Sequence, residues 1–288
     1  MSQVQKIRRR IKSVKNIKQI TGAMEMVAAS KLRRAQAATF AARTYATAAR
    51  EVLARLTSAA STVLLENNQF FRQPKEGKRL LVVFTSDRGL SGSYNGNVLK
   101  MLVRILTSSQ STSIIMVGQK GAQFLQRLSG SFEMVGVYTN WPYCPTLADI
   151  APIAKTAQDL FVKGEVAQVS VLYTNYISVS RHEVVLQDLL PIEPMRNEHT
   201  FSDDSFLFEP SPQEVLDYVV PRLTAVQLYQ ASLEAAASEQ AARMMAMQNA
   251  TDSAGDILED LTLEHNTARQ AVITAELAEI SGGVAAVV

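Results

Sequence analysis

Residues 209–288 carry the longest regular hydrophobic pattern in the chain. Steps of alternately three and four residues lead from Leu216 to Glu279, and fourteen of the nineteen positions reached are apolar. A 3.5-residue repeat falls just below the 3.6 residues of an α-helical turn, so a long helix with this pattern supercoils around a partner. No proline follows Pro221. The pattern predicts a helix over residues 209–281 that is partnered along its length.

A second long helix is predicted at the N-terminus, where residues 2–58 contain no proline and one glycine, Gly22. Apolar residues follow the 3.5-residue repeat over 4–14 and again over 28–56. Between these stretches polar residues occupy the regular positions, which are Lys18, Thr21 and Glu25. We therefore expect a slip by one residue onto the apolar neighbours Ile17, Ile20, Met24 and Val27.

The two predicted helices carry opposite net charges. Residues 1–58 contain 13 Lys and Arg against two Glu, whereas residues 209–288 contain three Arg against 12 Asp and Glu. Opposite charge favours pairing of the two segments and gives that pairing a preferred partner. Alanines over 35–49 would let the helices approach closely. We therefore predict one antiparallel coiled coil formed by both ends of the same chain.

The middle of the chain has a different pattern, in which short apolar runs alternate with helical ones. This alternation predicts an α/β domain with a partly parallel sheet covered on both faces. Ser211 is expected to cap the helix that follows, with Pro212 in its first turn. The predicted domains are 1–58, 59–208 and 209–288. Strands are expected at 79–85, 113–117, 134–138, 166–174 and 177–186, with helices at about 95–106, 119–128 and 147–163.

Composition narrows the class of protein. The single cysteine, Cys144, cannot form an internal disulfide or a cysteine-rich zinc site. No stretch approaches eighteen apolar residues, and the basic N-terminus lacks the apolar core of a signal peptide. We expect a chain that does not insert into a membrane.

Candidate chemistry is sparse. The glycine-rich segment 86–92 lacks the GK[ST] ending of a phosphate-binding loop, and Gly118-Gln119-Lys120-Gly121 is a common structural turn. The histidines are scattered, at His182, His199 and His265. The sequence therefore nominates no catalytic residue, cofactor or metal ligand. The basic run Arg8-Arg9-Arg10 lacks aromatic neighbours, which favours a solvated basic face, or one that meets an acidic protein, over nucleic acid.

Four segments carry a specific resemblance, in the same order along the chain. They read IRRRIKSVKNIKQITGAMEMVAASKLRRAQ, VVFTSDRGLSGSYN, ASEQAARMMAMQNATDSAGDIL and NTARQAVITAELAEISGG. In these segments the chain resembles the gamma subunits of F-type ATP synthases. The fold that this resemblance implies, terminal helices in an antiparallel coiled coil with a Rossmann-like domain between them, agrees with the one predicted above.

The resemblance implies a central rotor shaft. In the family the coiled coil lies inside a ring of alpha and beta subunits, and the foot binds the epsilon subunit and the membrane ring of c subunits. Rotation couples proton flow to ATP synthesis or hydrolysis on the neighbouring subunits, so this chain is not itself an enzyme. The implied location is the cytoplasmic face of the bacterial inner membrane, as a peripheral subunit.

Individual residues match family positions implicated in coupling or in contact with the catalytic subunits. Glu209 matches a position near the membrane-ring contact. For Arg243 a local pair with Glu239, four residues earlier, is an equally good interpretation. The matching positions are Met24, Arg243, Gln270, Thr274, Glu276 and Glu279.

The chain also departs from the family pattern, at positions that concern fine tuning and regulation rather than membership. It lacks the cysteine-bearing insertion of chloroplast relatives, so we expect no thiol regulation. Two other functions remain open from the residues alone, a homodimeric coiled-coil adaptor with a ligand-binding α/β domain and an ATPase in its own right. The departures are Ile17, Gly22, Ser91, Ser93 and Ser253.

Overall fold

Ten helices and strands make up the described part of the fold. The computed structural model describes residues 3–59, 68–71, 77–108, 111–128, 130, 132–192, 209 and 211–285. The elements in chain order are α1 (Gln3–Ala59), β1 (Lys78–Phe84), α2 (Tyr94–Thr107), β2 (Thr112–Val117), α3 (Gln119–Leu125), β3 (Phe132–Tyr138), α4 (Leu147–Val162), β4 (Val166–Tyr176), β5 (His182–Leu190) and α5 (Pro212–Ala285).

The chain forms two compact units. The helix unit combines Met1–Ala28 with Arg243–Val288, and the sheet unit is Ala29–Ala242. Both α1 and α5 contribute residues to each unit. The division into 1–58, 59–208 and 209–288 follows the order of elements instead and stays a prediction. The predicted fold class, long terminal helices with an α/β domain between them, is confirmed.

The sheet unit is built on a five-stranded sheet in the order β3-β2-β1-β4-β5. Strands β1 to β4 run parallel, and β5 pairs antiparallel with β4. Every residue of β2 and the last five of β1 are buried, as expected for central strands covered on both faces. This confirms the prediction of a partly parallel sheet.

Two hydrophobic cores lie on opposite faces of this sheet, because successive strand residues point to opposite sides. On one face Leu81 and Val83 pack with α2 and α3. On the other, Leu80 and Val82 pack with α4 and with parts of the long helices, including Leu53 of α1. The sheet unit therefore has three layers, with the sheet between helices on its two faces.

Small residues bring α1 and α5 together within the sheet unit. Ala35 and Ala46 of α1 are fully buried, as are Ala231 and Ala237 of α5. Short side chains let two helix backbones approach closely, and the burial of these alanines agrees with the role predicted for the alanine stretch. An ion pair between Arg43 and Glu234 adds a polar contact between the two helices.

The ends of two elements test the sequence-based boundaries. The predicted start of α5 is confirmed, because Ser211 Oγ accepts a hydrogen bond from the Glu214 amide at 3.3 Å and Pro212 is the first helical residue. The predicted last strand is present, but its predicted range 177–186 is wrong, because the strand is observed at His182–Leu190. Residues 177–181 instead form a turn in which the amides of Ile177 and Ser178 both donate to the Arg181 carbonyl.

Candidate functional site

Two antiparallel helices form the helix unit. The hydroxyls of Thr21 and Thr251 lie 2.8 Å apart, and the Lys18 ammonium would lie 3.1 Å from a Cβ added to Gly255. Near its first residues α1 lies beside the 263–275 stretch of α5, where a groove of about 590 Å³ separates them. Residue numbers thus rise on one helix as they fall on the other.

The predicted register slip in α1 is wrong. Ile17, Ile20 and Val27 are 49%, 59% and 55% exposed, whereas Thr21 and Glu25 are half-buried. Thr21 and Glu25 therefore keep the regular seam positions, although Lys18 is exposed and Met24, a residue of the predicted slip, is half-buried. Thr21 is accommodated there because its hydroxyl accepts from Thr251 and donates to the Lys18 carbonyl.

One consequence of this register is an apolar stripe on the outside of α1. Ile17, Ile20 and Val27 recur at the three- and seven-residue spacing of one helix face, and each is about half exposed. Contiguous apolar surface of this kind is typical of protein interaction sites. We call Ile17, Ile20 and Val27 the α1 stripe.

The far end of α5 is the second exposed region of the helix unit. Seam positions are buried or half-buried up to Ala268, but every side chain from 271 to 278 is exposed. The exposed residues include the large apolar Val272, Ile273 and Leu277. We call residues 271–278 the α5 tip.

Three of the predicted coupling residues lie at or beside the α5 tip. Gln270, Thr274 and Glu276 are all exposed, and the Thr274 hydroxyl donates to the Gln270 carbonyl at 2.9 Å. Glu279 belongs to α5, but its side chain lies outside the described residues. The structure thus brings this group together on one stretch of helix.

Met24 and Arg243 form a separate group. Both are half-buried. The register set by Thr21 and Thr251 places Met24 within about 8 Å of Arg243 along the helix axis. Arg243 lies about 40 Å along α5 from Gln270, at 1.5 Å per residue. The predicted coupling residues therefore occupy two levels of the helix unit.

Glu209 belongs to the sheet unit, where it is exposed two residues before the cap of α5. Its predicted contact with a membrane ring stays a prediction. Among the described residues, no helix combines the length and hydropathy needed to cross a membrane.

The glycine-rich turns of the sheet unit are occupied by the chain itself. The first three amides of α3 donate to Asp87 Oδ1 at 2.9 Å, to the Ser86 carbonyl at 3.0 Å and to Thr85 Oγ1 at 3.1 Å. Gly118, with φ +99°, is required because a Cβ there would lie 2.3 Å from the Thr85 carbonyl oxygen. These amides hold the turn after β1 against α3, which is a structural role.

A buried polar network escaped the sequence-based prediction. Glu234 Oε1 accepts from Arg43 Nη2 at 2.9 Å and from Gln230 Nε2 at 2.7 Å. Arg43 also donates to the Tyr176 carbonyl at 3.3 Å, which joins α1, α5 and β4. Gln230 lies on the predicted seam, but its position alone gave no signal of these partners.

Among the described residues, neither a group of metal ligands nor a residue with a shifted pKa defines a further site. In the described ranges, no group of three His, Cys, Asp or Glu side chains is placed to hold a metal ion. Burial, and then the Cys144 thiol, raises the pKa of Tyr229. Hydrogen bonds from Thr146 lower the pKa of Asp149 at the start of α4. Neither residue belongs to the predicted coupling group.

Long paired helices with an inserted α/β sheet, and apolar surface exposed on those helices, define a class of coiled-coil protein that works through protein partners. Residues 3–287 match the family model described as ATP synthase. This chain is 42% identical over 290 residues to the ATP synthase gamma chain of Roseiflexus castenholzii. It is 41% identical over 295 residues to the ATP synthase gamma chain of Chloroflexus aurantiacus. Each alignment covers 99% of both chains. The chain therefore belongs to the ATP synthase gamma chain family.

Solved structures agree with this assignment. A chain in the central stalk and c-ring of the Tetrahymena thermophila mitochondrial ATP synthase has a TM-score of 0.58 at 27% identity, covering 80% of this chain and 99% of that one. A chain in the Euglena gracilis mitochondrial ATP synthase has a TM-score of 0.69, covering 98% of this chain and 94% of that one. At 17% identity the latter likeness concerns the fold alone.

Proposed function

We propose that this chain is the central rotor shaft of an F-type ATP synthase. It couples proton flow through the membrane sector to conformational change at catalytic sites on neighbouring subunits. The observation that carries the proposal is the α5 tip, where Val272, Ile273 and Leu277 are exposed near the end of the longer helix. An apolar helix end of this kind needs cover from another protein.

The partners follow from the two units. The alpha and beta subunits would surround the helix unit, where the α5 tip and the α1 stripe offer exposed apolar contact surface. ATP chemistry takes place on those subunits, and this chain contributes no catalytic residue. Support comes from the turns of the sheet unit, where the amides that open α3 are already bonded to Asp87, Ser86 and Thr85.

The sheet unit would form the foot. The epsilon subunit and the ring of c subunits are its proposed partners, with Glu209 near the membrane-ring contact. Such a foot places the chain at the cytoplasmic face of the bacterial inner membrane as a peripheral subunit. Glu209 is exposed and available for this contact.

Internal pairing argues against the homodimeric adaptor. Seam residues such as Ile7, Leu32, Met247 and Ala254 are already buried within a single chain. We expect the purified chain to sediment as a monomer. A tight homodimer at micromolar concentration would overturn this expectation and favour the adaptor.

The decisive test is reconstitution of the complex in vesicles with and without this chain. We expect ATP-driven proton pumping to need the chain, and unchanged pumping in its absence would overturn the proposal. A variant with Ile273→Asp and Leu277→Asp should reduce pumping several-fold, because two charges would enter an apolar contact. Val162→Asp is the control, since Val162 is an exposed apolar residue, 43% exposed, that lies on α4 of the sheet unit.

A further inference from the structure

A groove of about 790 Å³ lies on the face of the sheet that α2 and α3 cover. Its apolar walls are half-buried side chains from α2, α3 and the edge strand β5. This volume is sufficient for several protruding side chains. The apolar wall residues are Leu99, Met101, Val103, Phe124 and Val184.

Charge at this groove has one sign. Lys100 and Arg104, one turn apart on α2, line it and are exposed. Neither forms an ion pair with any side chain that the structure describes. Residues 88–132 contain five Lys and Arg and no acidic residue. Helix α4, on the opposite face, mixes both signs.

An apolar groove flanked by unpaired cations matches a protein segment better than a lipid surface. A bilayer presents a flat layer of headgroups and is entered by apolar side chains that protrude, whereas here the apolar side chains line a depression. A peptide segment can insert its own apolar side chains and place carboxylates over the cations. We propose that the α2–α3 groove docks an acidic segment of a partner subunit, with its apolar side chains against Leu99, Phe124 and Val184 and its carboxylates at Lys100 and Arg104.

Gly96 offers a way to block the groove without disturbing the fold. It lies in the first turn of α2 and lines the groove. A Cβ added there meets nothing within 4 Å. Gly96→Leu therefore fills space that the chain itself leaves empty, and it replaces a poor helix former with a good one. The variant chain should fold at least as well as the parent.

The experiment uses the assembled complex. A photoreactive benzoylphenylalanine replaces Asn97 at the groove, and in a control it replaces Lys155, which is exposed on α4. After irradiation, mass spectrometry identifies what is attached. We expect position 97 to capture a partner-subunit segment rich in Asp and Glu, and position 155 not to capture it.

Two sets of substitutions then test the chemistry. Combined Lys100→Glu and Arg104→Glu should lower the yield of that crosslink by about tenfold, because carboxylates would face carboxylates. Gly96→Leu should lower it as well. The matched control, Lys155→Glu with Lys163→Glu, makes the same charge change on the opposite face and should leave the yield unchanged.

Other occupants would overturn the inference. These are lipid, or residues 193–208 of the same chain, which contain four acidic residues and three phenylalanines. Equal yields at positions 97 and 155, or indifference to charge reversal, would also overturn it. The inference rests on the proposed function because the partner is sought within the assembled complex. If the complex forms without the crosslink, only the groove proposal fails; if this chain does not enter the complex, both fail.

Discussion

Glu234 shows how single residues determine the packing of the long helices in the sheet unit. Its side chain is 7% exposed, and one carboxylate oxygen accepts from both Arg43 and Gln230. A buried carboxylate is costly unless it is paired and hydrogen-bonded. Arg43 therefore mainly compensates the negative charge of Glu234, which α5 buries. Its guanidinium also donates a hydrogen bond to the Tyr176 carbonyl.

Removing Arg43 should destabilise the fold, because the buried Glu234 carboxylate would lose its charged partner. We expect Arg43→Ala to lower the free energy of unfolding by about 2 kcal/mol, less than for a fully buried pair because Arg43 is 41% exposed. Urea denaturation measures the change. Lys78→Ala is the control, because its pair with Glu133 is exposed on both sides and is expected to contribute less than about 1 kcal/mol. Equal losses in the two variants would contradict the assignment.

The start of α4 carries a pH-dependent contribution. The Thr146 hydroxyl and amide donate to the Asp149 carboxylate, which lowers the pKa of Asp149 below 3.8 in the folded chain. A lowered folded-state pKa means that the stabilisation is present above the unfolded value and is lost as pH falls through the folded value. We expect Asp149→Ala to cost about 1 kcal/mol at pH 7.

The same substitution should cost progressively less as the pH falls from the ordinary pKa of an aspartate through its lowered folded-state pKa, because the unfolded chain takes up its proton first. Urea denaturation at pH 7 and pH 3 gives both values. Asp159→Ala, later on the same helix, is a control without a capping partner and should show no such loss. A cost for Asp149→Ala that is the same at both pH values would refute the charged cap.

At the scale of elements, α1 shows why a hydrophobic pattern can mislead. Sequence analysis placed Ile17, Ile20 and Val27 on the seam because they are apolar, yet these residues are exposed. The 3.5-residue geometry of two paired helices keeps one continuous seam. Thr21 remains in it because Thr251 supplies a hydrogen-bond partner from 230 residues away, a pairing that no local pattern reveals.

This register can be tested by truncating one isoleucine on each side of α1. Ile7 is 3% exposed and Ile20 is 59% exposed. We expect Ile7→Ala to lower stability by about 2–4 kcal/mol, because it leaves a cavity in the seam. Ile20→Ala should change it by no more than about 0.5 kcal/mol. Urea unfolding followed by circular dichroism compares them, and a larger loss for Ile20→Ala would restore the predicted slip.

The sheet was predicted well for a physical reason. Central strands such as β1 and β2 are buried on both faces, so their sequences are almost continuously apolar and stand out against their surroundings. The edge strand β5 is less buried, and its pattern gave a start five residues too early. The turn before it depends on amides that bond to the Arg181 carbonyl, which composition does not indicate.

At the scale of the whole molecule, the opposite charges of the two ends act over distance. In the described part of the helix unit, none of the seven basic residues of α1 forms an ion pair with α5. The sequence revealed the charge imbalance but not this lack of fixed pairs. A basic surface without fixed partners attracts acidic protein loops over roughly a Debye length, about 8 Å at physiological salt.

Arg243 tests coupling in the assembled complex. We expect Arg243→Ala to weaken ATP-driven pumping or turnover several-fold, because it removes one of three basic residues from an acidic helix. Gln270→Ala and Thr274→Ala probe the second level of predicted coupling residues in the same assay. Wild-type activity in Arg243→Ala would assign Arg243 to a local role within α5.

The antiparallel pairing of the two chain ends also affects how the chain folds during its synthesis. Thr21 meets Thr251, a residue made 230 positions later. At about 5–20 residues per second, a ribosome needs roughly 10–45 seconds to cover that distance. During this interval Ile7, Ile11 and Val14 of α1 lack the partner helix against which they pack in the folded chain. We expect the dense positive charge of the first helix to keep nascent copies apart by repulsion until its acidic partner has been synthesised.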